Sequence, residues 1–117
     1  MLQFICYPKC TTCQKAQKWL DNHKTKYVLR DIKMNNPSLE ELTEWYQKSG
    51  LPLKKFFNTS GLLYKSLDLK NKLPTLSEEE MLKLLSCDGM LVKRPILIGD
   101  DFVCVGFQEA EWSEKIK

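Results

Sequence analysis

The chain lacks the ligand set of a structural zinc site: it has one histidine, His23, and no second Cys-x-x-Cys pair to complete four ligands. It also lacks any apolar run near the ~18 residues a membrane-spanning helix needs, and no basic segment precedes the opening Leu2-Gln3-Phe4-Ile5-Cys6. The expected location is therefore the cytoplasm, where thiols are kept reduced, and not a membrane. An excess of one charge is missing too. Eighteen Lys and Arg against fifteen Asp and Glu leave +3, dispersed along the chain, which argues against direct nucleic-acid binding through a basic face. The five cysteines, at 6, 10, 13, 87 and 104, are an odd number, so a fully paired disulfide framework is excluded and reactive or buried thiols are expected. No repeat, low-complexity tract or linker interrupts residues 1–117, which read as one domain.

What is present is a globular composition, 43% apolar and 28% charged, with the two kinds of residue mixed throughout. A domain of this size buries about two-thirds of its unfolded surface, enough for an ordinary core without staples. Leu2 to Cys6 reads as a buried strand. The run after Cys10 carries Cys13, Ala16 and Leu20 at helical spacing, with Trp19 beside them, and closes at Asn22-His23-Lys24. Tyr27-Val28-Leu29, running into Arg30-Asp31, gives a second strand and completes a βαβ unit.

Ser38 with Glu41, and Ser77 with Glu80, are capping-box pairs that start two further helices. Leu39, Leu42 and Tyr46 are the expected inward face of the first, which Gly50 and Pro52 stop. Met81, Leu84 and Leu85 are that of the second, with Gly89 near its end. Lys54 to Leu76 reads as one or two short helical turns. Ile96-Leu97-Ile98 and Phe102 to Val105 flank the tight turn Gly99-Asp100-Asp101, and Gln108 to Lys117 forms a last short helix. The order β-α-β, helical middle, β-β-α describes an α/β protein: a four-stranded mixed sheet with helices on both faces, the thioredoxin-like arrangement with a helical insert.

The stretch Tyr7-Pro8-Lys9-Cys10-Thr11-Thr12-Cys13 places a Cys-x-x-Cys at the junction of strand and helix. Free N–H groups and the helix dipole favour negative charge where a helix begins, and thiolate is the reactive form of cysteine. Cys10 falls at that place. Cys13, one turn later, faces the same side and can attack a mixed disulfide formed at Cys10, releasing the bound partner as a thiol. A cytosolic Cys-x-x-Cys near a βαβ unit is a thioredoxin-like redox signature. Lys9 and Lys15 read as solvated surface, His23 as a surface imidazole, and Cys6 and Cys104 as small core residues of apolar strands. Nothing near Cys87 marks it as activated. Arg94-Pro95 opens an apolar strand, where proline is tolerated and a guanidinium can hold an anion or a thiolate.

Tyr7 through Ala16, Trp19-Leu20, Gly50 through Gly61, Asp88 through Pro95 and Val105-Gly106-Phe107 together resemble the ArsC/Spx/YffB family along essentially the whole chain. The resemblance implies a nucleophilic cysteine at Cys10 and an Arg-Pro whose proline, Pro95, is cis and faces it. Cys10, Cys13 and Arg94 are then the catalytic positions. The first-turn N–H groups at Thr11 and Thr12, together with Arg94 and Pro95, are the substrate-binding ones. The arsenate reductases of the family hold their oxyanion with three arginines; one maps to Arg94, and the others fall at Asn58 and Gly106, so the multivalent clamp is largely missing. No bound metal or prosthetic group is implied, and glutathione is the candidate co-substrate, with glutaredoxin or thioredoxin as candidate reducing partners. The function these observations favour is an arsenate reductase-like thiol-disulfide oxidoreductase. The alternative is a redox-switched Spx-type regulator that contacts the C-terminal domain of the RNA polymerase alpha subunit; a glycine in its contact surface matches Gly50, as does one in the arsenate reductases.

Overall fold

In a computed structural model, which describes residues 2–116, the chain forms four strands and six helices within those residues. Met1 and Lys117, the last residue of the expected C-terminal helix, lie outside them. The strands are β1 (Leu2–Cys6), β2 (Tyr27–Asp31), β3 (Ile96–Ile98) and β4 (Val103–Val105), in the order β2-β1-β3-β4. β1 runs parallel to β2 from Leu2↔Tyr27 to Cys6↔Asp31, whereas β3 is antiparallel both to β1, at Phe4↔Leu97, and to β4, at Leu97↔Cys104. The mixed sheet and thioredoxin-like α/β arrangement expected from the element order are what the chain forms.

Successive side chains of a strand leave opposite faces of a sheet, so the strands divide their apolar residues between two cores. Phe4, Cys6, Leu97 and Cys104 pack with Cys13, Ala16 and Leu20 of α1 (Thr11–Asn22) and with Trp112 of α6 (Glu109–Lys115). Ile5, Ile96, Ile98 and Val103 pack on the other side with α2 (Leu39–Ser49), α5 (Glu78–Cys87) and the residues between them. Trp112, wholly buried, donates its indole N–H to the Gly106 carbonyl at 3.2 Å, so the largest side chain of its core leaves no orphaned donor.

Both capping boxes form. Ser38 accepts from the Glu41 N–H and Ser77 from the Glu80 N–H, each at 3.1 Å, with the glutamates returning to the serine N–H groups at 3.0 Å. α2 ends at Gly50, whose φ of 69° is left-handed backbone that glycine adopts without steric cost. The inward faces differ from expectation by a fraction of a turn. Leu39 is solvent-facing, and α2 buries Leu42 and Trp45; α5 buries Leu82 and Leu85, with Met81 and Leu84 on the flanks. In both helices the buried pair is spaced three residues apart, following the sheet surface the helix covers.

Four short turns, and not one or two, fill the insert: 3-10 turns at Leu53–Phe56 and Leu73–Thr75, with α3 (Leu62–Ser66) and α4 (Leu69–Lys72) between them. Each is too brief to display a helical period. The insert is tied to the strand-entry segment by an isolated Phe57↔Val92 bridge and by hydrogen bonds from Asn58 N–H to the Leu91 carbonyl, 2.8 Å, and from Lys93 N–H to the Phe56 carbonyl, 2.7 Å. Those bonds fix the residues that lead into Arg94. Among the described residues no helix is long and apolar enough to cross a membrane.

Candidate functional site

β1 delivers the chain to Tyr7, and a tight turn then brings the Cys10 N–H to the Tyr7 carbonyl at 2.9 Å. Gln14 closes the turn from outside, donating its side-chain amide to the Pro8 carbonyl at 2.9 Å. Cys10 is the N-cap of α1, in extended backbone (φ −84°, ψ 123°) and half-buried, and its carbonyl receives the first helical hydrogen bond from Gln14 at 3.0 Å. Its sulfur takes no capping hydrogen bond. The first N–H groups of any α-helix have no acceptor within the helix; here they belong to Thr11, Thr12 and Cys13, and no acidic residue stands in that turn to answer them.

Cys13 is buried, 2% exposed, and its Sγ accepts the Tyr7 N–H at 3.3 Å. Its thiol donates to Cys6, the last residue of β1, itself 3% exposed. That bond is the main reason the Cys13 thiol lies well above the ordinary range, with burial second, and the reason Cys6 lies below it. Cys6 is thus the core residue the sequence suggests and also a direct partner of the proposed resolving cysteine. The signal for this contact was period two: Phe4 and Cys6 share the face that α1 covers. Cys104 is buried as expected, and burial, reinforced by the Glu111 carboxylate, pushes its thiol up to about 12.

The Arg94–Pro95 bond is cis, and the buried Pro95 carbonyl accepts the Gly106 N–H at 2.8 Å. Two positions beyond the pairing of Ile5 with Ile96, the antiparallel register brings Arg94 alongside Tyr7, and the guanidinium lies over the Tyr7 ring, 5.3 Å from its centre. Its Nε and Nη1 are buried and make no hydrogen bond among the described residues. Buried donors of this kind are costly unless something accepts from them, and an anion is the natural acceptor for a guanidinium. Arg94 borders a cavity of about 450 Å³ with Asn58, Ser60, Gly61, Asp88 and Met90. Thr12 lies instead in an open cleft of about 940 Å³ lined by Lys54, Lys55, Lys93, Gly106 and Phe107 among others; Thr11 is exposed.

Of the expected site residues, the structure gathers Cys10, Cys13 and Arg94 around Tyr7, a residue not singled out beforehand, and distributes Thr12 and Arg94 between neighbouring hollows. Asn58 and Gly106 serve the backbone. Asn58 is 8% exposed, holds Leu91 through its N–H and accepts from Ser60 Oγ at 3.3 Å. Gly106 has a φ of 80°, which strains any residue with a side chain. Neither can reach out as a cationic arm. Among the described residues no cluster of three or more His, Cys, Asp or Glu is placed to hold a metal ion.

A family model described as the ArsC family matches residues 6–115. The chain belongs to the ArsC family. Within it, the chain is 52% identical over 113 residues to the uncharacterized protein YusI of Bacillus subtilis, covering 97% of this chain and 96% of that one. It superposes on the crystal structure of a possible arsenate reductase from Streptococcus mutans with a TM-score of 0.90, at 45% identity and 98% coverage of each chain. It is also 28% identical over 111 residues to the global transcriptional regulator Spx of Listeria innocua, covering 95% of this chain and 83% of that protein. The ArsC-family match takes in both halves of the site, from Cys6 through Arg94 to Gly106.

Proposed function

We propose that this ArsC-family chain is a cytoplasmic thiol-disulfide oxidoreductase of the arsenate-reductase-like kind. The observation that carries the reading is Cys10 at the uncapped start of α1, with the Cys13 sulfur one turn on and tethered to Tyr7 N–H at 3.3 Å. Cys10 thiolate attacks a disulfide R–S–S–R′, forming Cys10–S–S–R and expelling R′S⁻. Cys13, on losing its proton, attacks the Cys10 sulfur, expels RS⁻ and leaves the Cys10–Cys13 disulfide. Two electrons from glutathione, glutaredoxin or thioredoxin then restore both thiols. The N–H groups of Thr11 and Thr12 and the unpartnered donors of Arg94 stabilise anionic sulfur or a small anionic ligand. Pro95 shapes the wall against which the partner's chain lies. Arsenate is the weaker substrate candidate, because two of three expected cationic arms are Asn58 and Gly106.

Turnover with glutathione, thioredoxin and arsenate, run side by side, tests the assignment. A Cys13→Ser variant is expected to accumulate a mixed disulfide at Cys10, and its failure to trap any partner there would remove the reading. A second reading, a redox-switched regulator contacting the RNA polymerase alpha C-terminal domain, is favoured by the likeness to Spx over 95% of this chain. Capture of that domain by one redox state of Cys10–Cys13 and not the other would select it.

A further inference from the structure

Three thiols, not two, converge at the start of α1. Tyr7 N, which lies 3.3 Å from Cys13 Sγ, is bonded to the carbonyl carbon of Cys6, so the Cys13 sulfur sits against the peptide that joins Cys6 to Tyr7. The next peptide's oxygen, on Tyr7, holds the Cys10 N–H at 2.9 Å. Cys6 and Cys13 lie in the same apolar cluster, 3% and 2% exposed, and half-buried Cys10 packs at its margin. Cys13 is therefore the middle sulfur, with an outer neighbour open to partners and an inner one closed to them. The two-cysteine cycle gives Cys6 no task.

We propose that Cys6 is a third redox thiol, which takes over the disulfide from Cys10. The proposal rests on the Cys10–Cys13 chemistry proposed above. Cys6 thiolate attacks Cys13 Sγ in the Cys10–Cys13 disulfide; the Cys6–Cys13 bond forms, the Cys10–Cys13 bond breaks, and Cys10 leaves as thiolate. One disulfide is exchanged for another, so no oxidant or reductant is consumed. Cys6 suits the attack because it shares the buried cluster of Cys13, whose sulfur lies against the peptide that joins Cys6 to Tyr7. Cys10 suits departure because it ends at the positive pole of a 12-residue helix with no acid in its first turn. The exchange stores oxidation inside the core, where large thiols have no access, and returns the outer nucleophile to its free form.

The test is disulfide mapping by mass spectrometry after treatment with limiting diamide, with alkylation of free thiols at successive times. In the native sequence the Cys10–Cys13 bridge is expected first, followed by a Cys6–Cys13 bridge that grows as Cys10 becomes alkylatable again. Cys6→Ala, chosen because it keeps a small apolar group in the core, is expected to stop at Cys10–Cys13 with Cys10 blocked. Cys10→Ser, which leaves Cys6 untouched and so does not depend on refolding around a changed core, is expected to form Cys6–Cys13 directly. Cys10–Cys13 persisting in the native sequence, with Cys6 alkylated only after unfolding, overturns the relay, even if Cys10→Ser bridges Cys6 to Cys13. No Cys6–Cys13 bridge in Cys10→Ser overturns it as well. Absence of any Cys10–Cys13 bridge in the native sequence, with Cys6–Cys13 formed in Cys10→Ser, instead defeats the two-cysteine cycle and, with it, the transfer of a disulfide from Cys10.

Discussion

At the starts of α2 and α5 a serine and a glutamate exchange hydrogen bonds with each other's backbone, and one or two further acidic side chains stand in the first turn. At the start of α1 stands Cys10, which makes no capping bond, in a turn with no acidic residue. The same backbone feature, a set of N–H donors with no internal acceptor, is closed at two helices and left open at the third. Closing it stabilises a helix by about 1 kcal/mol. Leaving it open keeps donors and a partial positive charge available to something that arrives: a thiolate, a mixed disulfide or a small anion.

The largest way to break this contrast is Cys10→Ser. It is expected to abolish thiol-disulfide turnover while making α1 start as α2 does; turnover that survives would move the nucleophile elsewhere. Arg94→Ala follows, with an expected ten- to hundredfold fall in turnover, the size of about one or two hydrogen bonds to a charged group. Its stability in urea should hold or rise, since two buried unpartnered donors are removed; a marked loss would mean that Arg94 serves chiefly to pack on Tyr7.

Glu41→Gln probes a closed helix start. Arg30, which grips both Glu41 oxygens at 2.6 and 2.9 Å, is the main reason the carboxyl is held at about 2 and not 4.5, with the Ser38 N–H assisting against the cost of burial. Because the folded value is the lower, the stabilisation is complete above about pH 4.5 and is lost as pH falls toward about 2. The variant should therefore show a flatter decline of stability across that window, with turnover at neutral pH unchanged. Ser77→Ala should cost about 1 kcal/mol in denaturant titration and leave turnover alone. Smallest is the second effect of Cys10→Ser: a gain of ~0.5 kcal/mol as the serine hydroxyl takes a first-turn N–H, and a loss of stability there would show that the turn is not open.

How much could be read beforehand varied with the span of the interaction. The capping boxes were legible because the two residues that bond lie three apart. The strand-to-helix junction at Cys10 was legible because a β-branched and aromatic run gives way to helical spacing within ten residues. The insert was not, since four short turns broken by Pro52, Gly61 and Pro74 show no period, and the inward faces of α2 and α5 were misplaced because Trp45 and Leu82 turn to meet a sheet whose position the helix sequence does not contain.

By itself the sequence determined which helices would be capped, which cysteine would begin α1, and that helices would lie on both faces of the sheet. Only the tertiary structure decided that Arg94 lies on Tyr7, that Cys6 reaches Cys13, and that Asn58 and Gly106 are occupied by the backbone. The physical reason is distance along the chain. A cap or a turn is settled by atoms a few bonds apart, whereas the meeting of Tyr7 with Arg94 depends on β3 pairing antiparallel to β1 in one register, a choice made by the whole core at once.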